Sequence, residues 1–132
     1  MAVDIPAGFR DLGTKKAFAH LATVMPDGSP QVSPVWFDVS GPFIRINSAK
    51  GRLKDKDMRR DRRVALSIID PDNPYRHLAI RGKVVEITEQ GADAHIDALA
   101  KKYMGVDRYP NRKPGEVRVI YMIEPLHVAT MG

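Results

Sequence analysis

Hydrophobic and polar positions along the chain are grouped in short stretches of strand character, broken by clusters of turn residues. Residues 17–25 (AFAHLATVM) read as a strand, Pro26-Asp27-Gly28-Ser29 as a turn, and residues 31–39 (QVSPVWFDV) as a second strand of β-branched and aromatic residues, so the two form a hairpin. Pro34 has no N–H to donate and fits an edge or a bulge, not a central ladder position. After Ser40-Gly41-Pro42, Ile44 and Ile46 alternate with Arg45 in a short strand over 43–47. Residues 64–69 (VALSII) are almost continuously apolar and predict a buried strand. A long strand follows over 75–87, with Gly82 as its expected bulge, and a last one alternates over 117–123 and extends past Pro125.

Helical patterning is confined to short pieces. Residues 5–14 predict a short helix with Phe9 and Leu12 on one face, and residues 51–60 a charged one held chiefly by Leu53 and Met58. A third has Thr88 as its expected N-cap, Ile96, Leu99, Ala100 and Tyr103 on one face, and Gly105 as its stop. Six or seven strands with about three short helices, dominated by hairpins, argue for a small antiparallel barrel and against a doubly wound parallel sheet. The 132 residues fit a single domain, 1–132.

Composition sharpens this picture in two ways. There is no cysteine, which excludes disulfides, thiolate catalysis and cysteine-based metal sites and suits a cytoplasmic protein. No apolar run approaches the roughly 20 residues that span a bilayer, so no membrane contact is expected. The net charge of +5 is concentrated in one place: residues 50–63 contain eight basic and three acidic side chains. A nucleic-acid module would interleave aromatics with those charges. None lies in that stretch, and neither helix-turn-helix nor zinc-finger spacing is present, so no nucleic-acid partner is expected. The histidines, His20, His77, His95 and His127, are scattered; no metal site and no identifiable catalytic acid or base emerges.

Four stretches, in order, carry a family resemblance: FAHLATVMPDGSPQVSPVWF (18–37), SAKGRLKDKDMRRDRRVALSI (48–68), DPDNPYRHLAIRGKVVEIT (70–88), and HIDALAKKYMG with PGEVRVIYMIEP (95–105, 114–125). The chain resembles the pyridoxamine 5′-phosphate oxidase-like, FMN-binding split barrels, and within them the branch of deazaflavin (F420)-dependent oxidoreductases. The resemblance implies a split β-barrel of six to seven antiparallel strands. It implies a homodimer with a cofactor in the groove between subunits, and hydride transfer between F420 and a small organic substrate. The alternatives are an FMN-binding flavoprotein of the pyridoxamine phosphate oxidase type, or a cofactor- or nucleic-acid-binding protein without catalysis. The family's oxidases carry a C-terminal substrate clamp containing arginine. No arginine follows Arg118 here, a departure that counts against pyridoxamine phosphate oxidation.

In the resemblance, Arg52 and Lys54 match the positions that hold the cofactor phosphate. A guanidinium fork and a mobile ammonium suit phosphate oxygens, and Ser48 can add a hydroxyl. Ser33, Pro34, Val35 and Trp36 lie on the strand that borders the ring in this family. Thr23 on the partner strand is expected to reach the tail, and Tyr75, His77 and Arg81 to line the pocket mouth. Basic residues Arg108, Arg112 and Lys113 of the later loop suit the longer, anionic tail of F420. Strand alternation puts Trp36 and Phe37 on opposite faces, so at most one is pure core.

Overall fold

The computed structural model describes residues 2–132. A 3-10 helix at Ala7–Gly13 precedes β1 (Ala19–Val24), β2 (Pro30–Val35), β3 (Phe37–Ser40) and β4 (Phe43–Ala49). Then come α1 (Leu53–Arg60), β5 (Arg63–Asp70), β6 (Asn73–Thr88), α2 (Ala92–Met104) and β7 (Arg118–Met131). The strands pair antiparallel in the order β2-β1-β5-β6-β7-β4-β3. β2 and β3 are therefore opposite edges of the sheet, yet only Trp36 separates them in sequence. Consecutive Cα atoms are about 3.8 Å apart, so the sheet must curl until its edges meet at that residue. The result is a seven-stranded split barrel whose seam is Trp36.

That seam corrects the single strand expected over 31–39. Val35 pairs with Ala19 of β1, whereas Phe37 pairs with Ile46 of β4. Pro34 sits on edge strand β2, where its missing N–H leaves no ladder position unfilled. Gly82 does lie at a register shift, between β6 and β7, and β7 continues past Pro125.

Leu21, Phe37, Ile44, Ile46, Ile68, Leu78, Ile80, Tyr121 and Ile123 fill the interior, each less than 2 % exposed. Each apolar side chain buried in this way contributes about 1.5–3 kcal/mol. α2 packs through Ile96, Leu99 and Ala100 and ends at Gly105 in the left-handed conformation, as its pattern predicted. Its start differs: Gly91 occupies the N-cap, and the Thr88 hydroxyl accepts the Gln90 N–H two residues on, closing a local turn. α1 also departs from expectation, because Leu53 faces solvent and Met58 alone supplies apolar anchorage. Asp55 and Asp57, both buried, do the rest. Asp57 accepts the Thr23 hydroxyl at 2.9 Å and Arg60 at 2.8 Å.

The 3-10 helix closes one end of the barrel with Leu12 and is fastened by charge. Arg76 donates to Asp11 at 2.7 Å and to Asp70 at 2.8 Å, while Lys15 reaches Asp70 at 3.0 Å. The Asp72 N–H and these cations hold the Asp70 carboxyl at about 2, below its ordinary 3.8; the Arg76 hydrogen bond likewise lowers Asp11. A carboxylate whose folded value is depressed stabilises the fold above its unfolded value and ceases to do so as pH falls through the folded one. Thermal melts should therefore be level from neutral pH to about 4 and fall between about 4 and 2. In an Arg76→Ala variant that fall should be smaller and should finish at a higher pH, because the unfolded value that starts it is unchanged while the folded one rises. Parallel acid profiles for the two proteins would count against this fastening.

Candidate functional site

The seam, the end of β4 and the start of α1 surround a cavity of about 230 Å³. Six of the eight residues expected at a cofactor line it: Pro34, Val35, Trp36, Ser48, Arg52 and Lys54. The structure adds Phe18, Asn47, Ile96, Tyr109, Asn111 and Arg118. One half is flat and aromatic. Trp36 stacks on Tyr103, with ring centroids 5.0 Å apart and planes within 3°; Tyr103 stacks on Phe18 at 5.7 Å; Tyr109 meets the Trp36 ring edge-on at 5.9 Å. Tyr103 is fixed in turn, its hydroxyl donating to the Ala17 carbonyl at 2.5 Å, and burial pushes that hydroxyl up to about 12. Phe37, the neighbour of Trp36, points into the core at 1 % exposure.

The other half is cationic. Arg118, buried at the start of β7, donates from Nε to Asn47 Oδ1 at 2.9 Å and from Nη1 to Glu116 at 2.9 Å, with its guanidinium 5.2 Å from the Tyr109 ring centre. Arg52 also reaches Glu116, at 3.4 Å. Lys54 has no hydrogen-bond or ion-pair partner among the described residues. Burial first, then the nearby charges of Arg52 and Arg118, lower its ammonium below the ordinary lysine range. Three cations thus face one carboxylate. Beside them the Ser48 hydroxyl is 2 % exposed and without a partner. A buried hydroxyl left unpaired costs about 1–3 kcal/mol, and an ammonium held among like charges also disfavours the empty site. An anion with several oxygens would relieve both.

Behind this wall lies a polar chain. Asn47 donates to the Ala92 carbonyl at 2.9 Å and lies 3.1 Å from His95 Nδ1, whose Nε2 is 3.2 Å from Asp38. With Asn47 donating at Nδ1, the His95 Nε2–H donates to Asp38. Arg45 completes the Asp38 site with bonds of 2.9 and 2.8 Å. Burial would raise the Asp38 carboxyl, but the bonds from His95 and Arg45 outweigh it and hold it at about 2. His95 is therefore a structural residue, set in place by its partners.

Two expected residues lie outside the cavity lining. The Thr23 hydroxyl is turned to Asp57 under α1, a partner that strand alternation could not reveal. Ser33 precedes Pro34 on β2, its hydroxyl buried and unpartnered but not on the cavity wall. The expected mouth residues are elsewhere too: Tyr75 is 76 % exposed near the β5–β6 turn, and Arg81 lies on the outer sheet face. Of the later loop's cations, Arg112 is tied to Asp93 and Asp97. Arg118 went unnoticed in the sequence because its place depends on the β4–β7 register, which sets Ala49 opposite Arg118.

A second concavity, about 790 Å³, covers the outer face of the sheet. Two rows run across five strands of that face, Val32, Ala22, Ala65, Arg81 and His127, then Pro34, His20, Ser67, Ala79 and Ala129, and all but Pro34 line the concavity. Pro34 belongs to the second row and also to the wall of the cationic cavity, so the two concavities adjoin.

Fold and site together define a split-barrel protein with a cationic pocket beside a stacked aromatic face. The chain belongs to the pyridoxamine 5′-phosphate oxidase family, whose model matches residues 5–132. It is similar to an F420 reductase of known structure, at 35% identity, covering 95% of this chain and 98% of that one with a TM-score of 0.82. Two further structures share the fold. A conserved hypothetical protein from Mycobacterium tuberculosis is 22% identical, with 98% and 86% of the two chains covered and a TM-score of 0.78. HupZ from Group A Streptococcus is 18% identical, with 96% and 93% covered and a TM-score of 0.68. No protein of curated function matches the chain. Among the described residues, no group of three histidine, aspartate or glutamate side chains could hold a metal ion, and no helix is long and apolar enough to cross a membrane.

Proposed function

We propose that the chain is an F420-dependent oxidoreductase that works as a homodimer. The observation that carries this reading is the unpaired Lys54 ammonium beside the unpaired Ser48 hydroxyl, in a cavity whose opposite wall is a stacked aromatic face. Arg52, Lys54 and Arg118 would hold the phosphate, and Ser48 would donate to one of its oxygens. Trp36, supported from behind by Tyr103, would border the ring system. F420 supplies a ring carbon that carries a hydride. The protein's part is to fix the ring's orientation and to exclude water from it, which requires no separate nucleophile. The F420 reductase similar over almost the full length supports the deazaflavin over FMN.

The size of the cavity supports the dimer. A pocket that envelops a ligand alone is roughly 300–1,000 Å³, and this one is about 230 Å³. A second copy seated on the adjoining sheet face would add the missing wall beside Pro34 and bury the rows of alanine there.

Spectroscopic titration of the wild type with F420 and with FMN tests the reading. F420 should bind, and Arg52→Ala with Lys54→Ala should weaken it about tenfold or more, since each charge-assisted bond contributes roughly 1.5–3 kcal/mol. Preferential binding of FMN would replace the cofactor assignment, and unchanged affinity in the double variant would remove both cations from the site. Light scattering should give a dimer; a monomer that binds F420 tightly would contradict the shared site.

A further inference from the structure

Residues 105–117, between α2 and β7, form the longest stretch of the described chain outside helices and strands. They pass over the cationic cavity and give it Tyr109 and Asn111. Two glycines bracket them, Gly105 at φ 73° and Gly115 at φ 77°, both left-handed. A Cβ at either would meet no atom within 4 Å, so these glycines serve backbone conformation and not space. Between them Pro110 and Pro114 stiffen the chain. A stiff segment between two conformationally free residues moves as a unit.

Two carboxylates of α2 fasten that segment, and only Asp97 also holds its backbone. Asp97 Oδ1, on the well-packed α2, accepts the Tyr109 backbone N–H at 2.9 Å and Arg112 Nη2 at 2.9 Å. Arg112 also reaches Asp93 at 3.0 Å. The bond to the Tyr109 N–H sets where the Tyr109 ring stands, and that ring touches both halves of the cavity: the edge contact with Trp36 and the guanidinium of Arg118. The Asp97–Arg112 pair is half-exposed, so solvent screens it and opening is thermally accessible.

We propose that residues 106–114 are a hinged cover on the cavity, latched by Asp97, and that a bound molecule enters and leaves when the latch opens. Asp97 is a positioning residue: it acts through Tyr109 and touches neither cavity half itself. The identity of the bound molecule rests on the F420 reading; the latch does not.

Trp36 is the chain's one tryptophan, so its fluorescence reports on the Tyr109 contact directly. Acrylamide quenching of the ligand-free protein should rise about twofold or more in Asp97→Ala, where both charge-assisted bonds to the loop are lost. Asp93→Ala, which keeps both of those bonds, should quench like the wild type. Arg112→Ala, a surface change that leaves folding intact, should fall between them. Stopped-flow mixing with F420 should show entry and release both faster in Asp97→Ala. Wild-type quenching in Asp97→Ala and Arg112→Ala, with unchanged circular dichroism, would overturn the latch. Should Asp97→Ala not fold, Arg112→Ala decides alone. If F420 fails to bind the wild type while the quenching order holds, the cofactor assignment falls and the hinged cover stands.

Discussion

Alanine at position 82 should lower the melting temperature by roughly 10 °C, an effect out of proportion to one methyl group. Gly82 lies in the middle of β6, paired with Val64 on one side and with Pro125 on the other, where the β6–β7 register shifts. A Cβ built there would collide with the Glu124 carbonyl oxygen, and would crowd the Glu124 carbonyl carbon at 3.2 Å and Ile123 Cγ2 at 3.3 Å. The obstacle is the β7 backbone, paired with β6 at Lys83 and followed directly by the β4–β7 ladder at Ile123, so no side chain can swing away to relieve it. Overpacking of this kind costs about 1–3 kcal/mol, and more where the neighbour cannot move. In a domain of this size, about 3 kcal/mol corresponds to roughly 10 °C. Gly28→Ala makes the contrast. Its φ of +88° is strained for alanine, but nothing lies within 4 Å, so the loss should be only about 1 kcal/mol. Differential scanning calorimetry of the two variants separates the cases, and a Gly82→Ala melt within about 2 °C of wild type would mean that β6 and β7 part more easily than their pairing implies.

How much of this could be read from the residues alone depends on the range of the interaction. Local signals served well. The hairpin turn at 26–29, the apolar face and glycine stop of α2, and the bulge at Gly82 each follow from a few neighbouring side chains. Ser48, Arg52 and Lys54 lie within one short stretch and do line one cavity, but it was the family resemblance, not their local pattern, that singled them out. What failed was non-local. That β2 and β3 are separate strands follows from which partners each finds, β1 for one and β4 for the other. Nothing in residues 31–39 states this. Arg118 enters the cavity only through pairing with a strand some seventy residues earlier, and Tyr109 only through Asp97. Thr23 was expected to reach a cofactor tail, but its hydroxyl is turned to Asp57, a buried neighbour on α1 that the strand's own residues do not name.

Asp55 is the residue where fold and proposed function meet, and its removal should be costly to both. It reads in the sequence as one of three acids among eight bases around a short charged helix. In the structure it is 2 % exposed, and its carboxylate accepts the Gly51 N–H at 2.9 Å, Arg59 Nε at 2.9 Å and the Tyr121 hydroxyl at 2.5 Å. Burial alone would raise its carboxyl; the three donors outweigh burial and lower it. Tyr121 is fully buried in the core, and burial, then its hydrogen bond to Asp55, pushes its hydroxyl well above the ordinary tyrosine range. Asp55 therefore ties the first turn of α1, which presents Arg52 and Lys54, to the core. Asp55→Ala should cost about 3–5 kcal/mol, the range for breaking a buried charged pair, because Tyr121 and Gly51 are left as orphaned donors. Tyr121→Phe should cost about 1–2 kcal/mol, and the double variant less than the two together, since the orphaned hydroxyl has gone. Denaturant unfolding gives the three values. At a temperature where Asp55→Ala is still folded, its F420 affinity should also fall, as the turn that orients the two cations loosens. A loss below about 1 kcal/mol would place the anchorage of α1 elsewhere, in Met58 and the Asp57–Thr23 bond.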